Sequence, residues 1–217
     1  MIPLGGFDEG HPAVTYVLGR HVPRQRLDDL YYVPHDANFN IGDVRYRGDV
    51  DRVVIPIRNA TGGLVGITCR DLTGTSRLRY RMLRLCDEPM IYGLDRVGPG
   101  TVWVLEGPFD AMMFDNGVSP CGANLDQVNG VMSRTRQVRV YDNQPRNREL
   151  LKLMRRSIDE GVRVVVWPEE TRGKDPGEMA MNGDDPVEVC RIHSYRGNRA
   201  LLEFLRWKKI DNPYEKR

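Results

Sequence analysis

The sequence predicts an α/β protein in which helices cover a parallel sheet, with a mixed α/β segment before it and a short helical tail after it. Short apolar runs alternate with helical patterns in the middle of the chain, which is typical of parallel sheets. The 217 residues are 40% hydrophobic and 29% charged, a balance that supports a folded core rather than disorder. We expect three consecutive segments, which span residues 1–96, 97–182 and 183–217.

The first segment contains the signals of a helix and of several strands. Residues 11–17 predict a short helix, and residues 27–33 have the composition of a strand. Two apolar runs at 52–58 and 64–69 flank a turn, which predicts a β-hairpin. A further strand is expected at 77–82, where alternation places Arg77, Arg79 and Arg81 on one face and Leu78, Tyr80 and Met82 on the other.

The second segment alternates strands with helices. Its predicted strands lie at 102–105, 138–141 and 162–167, and its predicted helices lie between them at 108–114 and 147–160. Parallel strands joined by helices end at the same edge of their sheet. The third segment is expected to form a small helical tail that packs on this sheet.

Composition excludes several classes of protein. The longest apolar stretches are far too short to cross a membrane and the N-terminus has no signal peptide, so we expect a cytoplasmic protein. The four cysteines, at positions 69, 86, 121 and 190, form no CxxC pair, and we expect no zinc in this chain. Only five of the 32 basic residues are lysines, and this excess of arginine fits either phosphate binding or a GC-rich genome.

Three acidic residues closely follow predicted strands. Glu106, Asp142 and Asp175 would meet at the carboxyl edge of the sheet, where ligands bind in open α/β folds. Asp110 lies four residues after Glu106, close enough to support the same site. Carboxylates without neighbouring His or Cys suit Mg²⁺ or Mn²⁺. The alternative is that each acid caps a helix or lies in a solvated loop.

Several segments, in this order along the chain, resemble the catalytic core of DnaG-type primases, which contains a TOPRIM domain, and more closely the primases of T-even-type bacteriophages. The resemblance includes Val104-Leu-Glu-Gly-Pro-Phe-Asp110 and Tyr141-Asp-Asn-Gln-Pro-Arg-Asn147. It extends over nearly the whole chain, through residues 11–17, 52–57, 66–70, 91–97, 167–168, 174–175, 195–197 and 206–208. The resemblance implies a TOPRIM-type parallel sheet and the synthesis of short RNA primers on single-stranded DNA from ribonucleoside triphosphates.

The resemblance also assigns roles to individual residues. It implies that Glu106, Asp142 and Asp175 hold the metal ions with support from Asp110. Gln144 can also coordinate a metal ion through its carbonyl oxygen. Arg70 and the pair Arg79-Tyr80 match positions near the nucleotide and the template. The remaining candidates for nucleotide or DNA contact are Arg77, Arg81, Arg146 and Lys174, with a solvated surface as the alternative reading of the arginines.

Two departures from the family pattern leave alternatives open. The family usually has an acidic residue where this chain has Gln144, which removes one negative charge from the site. The zinc ribbon that usually precedes the catalytic core is absent from this sequence, so a separate zinc-ribbon protein could supply it, and a replicative helicase is a further expected partner. The alternatives to a primase are a weakened TOPRIM subunit that binds DNA or a replisome partner without polymerising, and a TOPRIM nuclease.

Overall fold

The computed structural model describes residues 1–209, which form two five-stranded sheets, a separate two-stranded hairpin and six α-helices. The last eight residues of the predicted helical tail, 210–217, lie outside the described residues. The predicted parallel sheet with covering helices is confirmed. None of the helices formed by residues 1–209 is long and apolar enough to span a membrane.

The first sheet is antiparallel and is built from the N-terminal part of the chain. Its strand order is β1-β2-β5-β6-β7, and β3 pairs only with β4. The helix α1 (Pro12–Gly19) packs beside this sheet, with short 3-10 helices at Leu4–Gly6 and Arg24–Asp29. The strands are β1 (Ile2–Pro3), β2 (Tyr31–Val33), β3 (Asn38–Ile41), β4 (Val44–Arg47), β5 (Arg52–Arg58), β6 (Leu64–Asp71) and β7 (Tyr80–Arg84).

The second sheet is the predicted parallel one. Its strands are β8 (Val102–Leu105), β9 (Gly117–Val118), β10 (Gln137–Val140), β11 (Arg163–Val165) and β12 (Ser194–Tyr195), in the order β12-β11-β10-β8-β9. All neighbours are parallel except β12, which runs antiparallel to β11. Its helices are α2 (Pro108–Ala111), α3 (Arg148–Asp159), α4 (Pro176–Met181), α5 (Pro186–Ile192) and α6 (Gly197–Trp207).

The helix α3 illustrates how local sequence sets these elements. The Asn147 side chain accepts hydrogen bonds from the first free backbone N–H groups and so begins the helix. Gly161, with φ of 73°, follows its end. The apolar side chains at 150, 151, 154 and 158 recur with the helical period and are buried against the sheet.

One hydrophobic core joins the N-terminal part, the parallel sheet and the tail. It includes Leu4, Val17 and Leu27 as well as the apolar residues of β8, β10 and β11, and it reaches Trp207 in α6. The predicted boundary at 96/97 falls in the loop before β8, and the one at 182/183 falls between α4 and α5. Because β12 and α6 complete the parallel sheet and its core, the tail packs on this sheet as expected.

Several sequence-based boundaries differ from the structure. Within residues 27–33, the first three belong to a 3-10 helix that ends at Asp29, and only Tyr31–Val33 is a strand. The helix expected at 108–114 ends at Ala111 and continues as tight turns. The strand expected at 77–82 begins only at Tyr80. Before Tyr80, the Asp71 carboxylate accepts hydrogen bonds from the backbone N–H groups of Thr73 and Ser76, which folds the chain into a loop.

Candidate active site

The three acidic residues that follow strands meet at the carboxyl edge of the parallel sheet. Val140 of β10 is the register partner of Leu105 of β8, so the residues after each strand lie side by side. The backbone N–H of Asp142 donates to Glu106 Oε1 at 3.1 Å. The acids border a cavity of about 210 Å³, which we call the acidic cavity; its carboxylates are Glu106, Asp110, Asp142 and Asp175.

Backbone amides at the start of α4 hold two of these carboxylates. Asp175 caps this helix through a hydrogen bond from Glu178 N to its Oδ1 at 2.8 Å. Asp110 Oδ1 accepts from Gly177 N at 3.0 Å, which ties α2 to α4. A Cβ atom at Gly177 would lie 3.1 Å from Asp110 Oδ1 and 3.4 Å from Asp175 Oδ1, so glycine permits this close approach. The two carboxylates are both buried.

Burial and mutual repulsion raise the pKa values of three carboxylates of the acidic cavity. Burial, and then the charge of Glu106, raise the pKa of Asp142 to about 7. Burial, and then the charge of Asp175, raise the pKa of Asp110 to about 7. The pKa of Glu106 is also raised, chiefly by burial. Asp110 and Asp142 are therefore only partly ionised at neutral pH unless a further cation compensates their charge.

Basic and aromatic groups also line the acidic cavity. The Lys174 ammonium lies 3.8 Å from both Asp142 Oδ2 and Asp175 Oδ2. The Arg70 guanidinium lies 4.9 Å from the centre of the Tyr80 ring, on the neighbouring strand. Arg79 borders the same cavity, immediately before β7. Anionic ligands such as nucleotide phosphates would find cations beside the carboxylates.

Not every arginine predicted from the sequence reaches the acidic cavity. Arg77 is exposed in the loop before β7 and does not line the cavity. Arg81 points to the other face of the sheet, where its guanidinium lies 5.0 Å from the Tyr46 ring centre and donates to Arg47 O at 2.6 Å. Arg146 is exposed in the loop between β10 and α3. The expectation that Arg77, Arg79 and Arg81 share one strand face is wrong, because β7 begins after Arg79.

Gln144 contacts the acidic site through its amide nitrogen. Its Nε2 group donates to Asp142 Oδ2 at 3.2 Å, and its Oε1 atom accepts from Asn147 Nδ2 at 2.8 Å. The carbonyl oxygen, which the sequence suggested as a ligand, is therefore engaged by Asn147. Gln144 is half-buried and does not line the acidic cavity.

Arg20 is a cavity residue that the sequence analysis missed. It follows α1 directly and reaches the acidic cavity, with its guanidinium 5.7 Å from the Phe109 ring centre. Its Nε atom is buried and has no hydrogen-bond partner among the described residues. Tyr16, four residues earlier, lies 5.6 Å from the Arg70 guanidinium. The four-residue spacing, which places Tyr16 and Arg20 on one side of α1, was the available signal.

Comparison with known proteins found a sequence relative and solved structures with a similar fold. No family model matches the chain. The DNA primase of Enterobacteria phage T4 is 34% identical over 216 residues, a match that covers 96% of this chain and 63% of that protein. The chain thus spans less than two thirds of the length of this curated relative.

Solved structures with the same fold are primase catalytic cores. The E. coli primase catalytic core has a TM-score of 0.66 at 17% identity, with 89% of this chain and 76% of that chain covered. The Aquifex aeolicus primase, with its zinc-binding and RNA polymerase domains, has a TM-score of 0.63 at 18% identity, with 94% and 64% covered. A DnaG primase catalytic domain bound to single-stranded DNA has a TM-score of 0.64 at 17% identity, with 94% and 77% covered. The chain therefore has the DnaG catalytic-core fold and is a sequence relative of the phage T4 DNA primase.

Proposed function

We propose that this chain is the catalytic core of a DNA primase, which makes short RNA primers on single-stranded DNA from ribonucleoside triphosphates. The observation that carries the proposal is the acidic cavity, where four carboxylates face Arg20, Arg70, Arg79, Tyr80 and Lys174. A polymerase that joins nucleotides needs both an acidic site for cations and basic groups for the triphosphate. The 34% identity to a DNA primase supports the same activity.

The donor chemistry of the acidic cavity fits a divalent cation, Mg²⁺ or Mn²⁺. Glu106, Asp142 and Asp175 offer hard oxygen atoms, and their charges need compensation. Among residues 1–209, no group of three or more His, Cys, Asp or Glu side chains is arranged to hold a metal ion. Instead, the Lys174 ammonium lies between two of the carboxylates and provides a positive charge at this place. The proposal that a divalent cation binds in the acidic cavity therefore rests on the type, burial and charge of the donor groups.

The proposed reaction joins two nucleotides. The 3′-hydroxyl oxygen of one nucleotide forms a bond to the α-phosphorus of the next, the bond to the β-phosphate oxygen breaks, and pyrophosphate leaves while the hydroxyl proton passes to solvent. A bound divalent cation would lower the pKa of that hydroxyl and offset charge on the phosphate oxygens. Lys174, Arg20 and Arg70 would bind the triphosphate and orient its α-phosphate for in-line attack.

Tyr80 and the neighbouring arginine would contact the template or the incoming base. The Tyr80 side chain is 38% exposed beside the acidic cavity, so one ring face could stack on a base while the other contacts Arg70. A replicative helicase and a separate zinc-ribbon protein remain proposed partners, and the cytoplasm of an infected bacterial host is the proposed location.

A second candidate function is a TOPRIM subunit that binds DNA or a replisome partner without polymerising. The observation that favours it is Gln144, an amide where the family usually has a carboxylate, because one missing charge weakens the affinity for a divalent cation.

A single assay on the wild-type chain separates these functions. Labelled single-stranded DNA and labelled ribonucleoside triphosphates are incubated with the protein and Mg²⁺ or Mn²⁺, with and without a helicase and a zinc-ribbon protein. We expect RNA oligomers that depend on the template and on the metal. DNA binding without oligomers under every condition would support the non-polymerising subunit, and shortening of the labelled DNA would support a nuclease.

A further inference from the structure

The loop between β10 and α3 contains a short relay of side-chain amides. At one end, the Asn147 oxygen accepts hydrogen bonds from the backbone N–H groups of Glu149 and Leu150, at 3.2 and 3.3 Å. In the middle, Asn147 Nδ2 lies 2.8 Å from Gln144 Oε1. At the other end, Gln144 Nε2 lies 3.2 Å from Asp142 Oδ2. The relay thus connects the start of a helix to an acidic residue of the proposed active site.

The backbone dictates the orientation of both amides. A backbone N–H can only donate, so the Asn147 atom that faces α3 must be its oxygen, and its other atom must be the nitrogen. Because that nitrogen donates, the Gln144 atom that faces Asn147 must be the oxygen. The Gln144 nitrogen then faces Asp142, whose carboxylate accepts its hydrogen bond. Reversal of either amide would set two donors or two acceptors against each other.

The backbone of the same loop keeps the relay short. Gln144 N donates to Asp142 O at 2.8 Å, and Asn147 N donates to Gln144 O at 3.0 Å. These two backbone turns connect the same three residues whose side chains form the relay. Little rotational freedom therefore has to be lost when the amides pair.

We propose that Gln144 holds Asp142 in place by donating a hydrogen bond to it, rather than binding a metal ion through its carbonyl oxygen, and that Asn147 is the positioning residue that fixes this orientation. This inference rests on the proposed function, because it assigns a role within the same acidic site. An amide donor beside a ligating carboxylate restrains the direction of its oxygens, as partners behind metal ligands generally do. The relay thereby makes the start of α3 part of the metal site without adding a ligand.

Mn²⁺ affinity, measured by isothermal titration calorimetry, tests the relay with two single variants and their combination. Asn147→Ser keeps an oxygen that can cap α3 but loses the side-chain amide N–H that donates to Gln144. Gln144→Met removes both ends of the amide at similar volume. We expect each variant to weaken Mn²⁺ binding by about tenfold. The double variant should bind no more weakly than Gln144→Met alone, because Asn147 acts through Gln144.

A matched control separates the relay from helix capping in general. Asn124 also caps a helical turn, by accepting from Asp126 N, and does not line the acidic cavity. Asn124→Ser should therefore bind Mn²⁺ as the wild type does. The proposal is overturned if Asn147→Ser binds Mn²⁺ as tightly as the wild type, because the amide pair would then have no effect on the metal site. It is also overturned if the variant binds Mn²⁺ more tightly, because the freed Gln144 carbonyl oxygen would then serve as a ligand. It is equally overturned if the two losses add in the double variant.

A metal-free measurement keeps this inference separate from the proposed function. The side-chain amide protons of Gln144 can be assigned in nuclear magnetic resonance spectra by their disappearance in Gln144→Met. We expect these resonances to move in Asn147→Ser and to stay in place in Asn124→Ser. Unchanged resonances in Asn147→Ser would contradict the proposed relay, even if the chain makes primers. Shifted resonances in a chain that makes no primers would instead leave the relay standing and reject the primase assignment.

Discussion

The carboxylates of the acidic cavity are buried close together, and in the absence of a cation their ionisation lowers the stability of the folded chain. The pKa values of Asp110 and Asp142 are both raised to about 7, whereas the pKa of an ordinary aspartate is about 4. The folded chain therefore binds these protons more tightly than the unfolded chain does. In the metal-free protein, the free energy of unfolding should fall as the pH rises from about 4 through about 7, because the native state must then release the protons.

Removal of one buried charge should reverse part of this loss. Asp110→Asn keeps an oxygen to accept from Gly177 N and cannot ionise. We expect the metal-free variant to melt at a higher temperature than the wild type at pH 8, with a smaller difference at pH 5, as measured by scanning calorimetry. In a chain of this size, each kcal/mol gained corresponds to about 2–4 °C. Asp115→Asn, at an exposed position, is the control and should change neither value. Equal melting of Asp110→Asn and the wild type at pH 8 would contradict this account.

The loop of residues 72–79 leads into β7 and places Arg79 at the acidic cavity. A buried arginine, Arg52, holds this loop in place. Arg52 in β5 is fully buried, and its guanidinium donates to Leu78 O at 3.1 Å and to Ser76 Oγ at 2.8 Å. It also forms an ion pair with Asp49 at 2.8 Å. Arg52, which is far from this loop in sequence, therefore fixes the loop's conformation. That conformation in turn determines where Arg79 lies at the acidic cavity.

Loss of Arg52 should loosen the loop that places Arg79 at the acidic cavity. Arg52→Met leaves Asp49 and the loop carbonyl without their donor, which we expect to cost roughly 2–3 kcal/mol of unfolding free energy. In primer synthesis, the variant should show a KM for ribonucleotides raised several-fold, with a smaller change in kcat. Arg58→Met is the control and should leave KM unchanged, because Arg58 lies in the same strand and its side chain donates to the turn at Gly62 O. A lower melting temperature with an unchanged KM would mean that the loop does not position the nucleotide.

Across the whole molecule, the tail is connected to the loop between β10 and α3, which carries Asp142. Trp207 Nε1 donates to Asn143 Oδ1 at 3.0 Å, and Lys209 N donates to Pro145 O at 2.9 Å. Asn143 N in turn donates to Lys174 O at 2.6 Å. Asn143 therefore joins the tail and the segment before α4 to the loop that carries Asp142. The acidic site is therefore assembled from parts of the chain that are far apart in sequence.

The parts of the fold that the sequence predicted are those set by local patterns. Apolar runs identified β8, β10 and β11, and the rule that parallel strands end together placed their acids at one edge. The loop of residues 72–79 was missed because hydrogen bonds from Arg52, which is distant in sequence, shape it. The hairpin of β3 and β4 is local, but it was missed because its two four-residue strands contain no continuous apolar run. Arg20 was missed because its place in the cavity depends on how α1 packs against Phe109, and its four-residue spacing from Tyr16 indicates only a shared side of the helix.

The formation of the first phosphodiester bond tests the central claim most directly. Primer synthesis on single-stranded DNA, with labelled ribonucleoside triphosphates and Mn²⁺, is compared between the wild type and Glu106→Gln, which keeps the shape of the side chain and removes its charge. Glu188→Gln, at an exposed ion pair in α5, serves as the control. We predict that Glu106→Gln lowers the rate by about a hundredfold or more while Glu188→Gln does not, because the lost charge weakens cation binding where the phosphate reacts. Primer synthesis by Glu106→Gln at the wild-type rate would contradict the assignment of the acidic cavity as the active site.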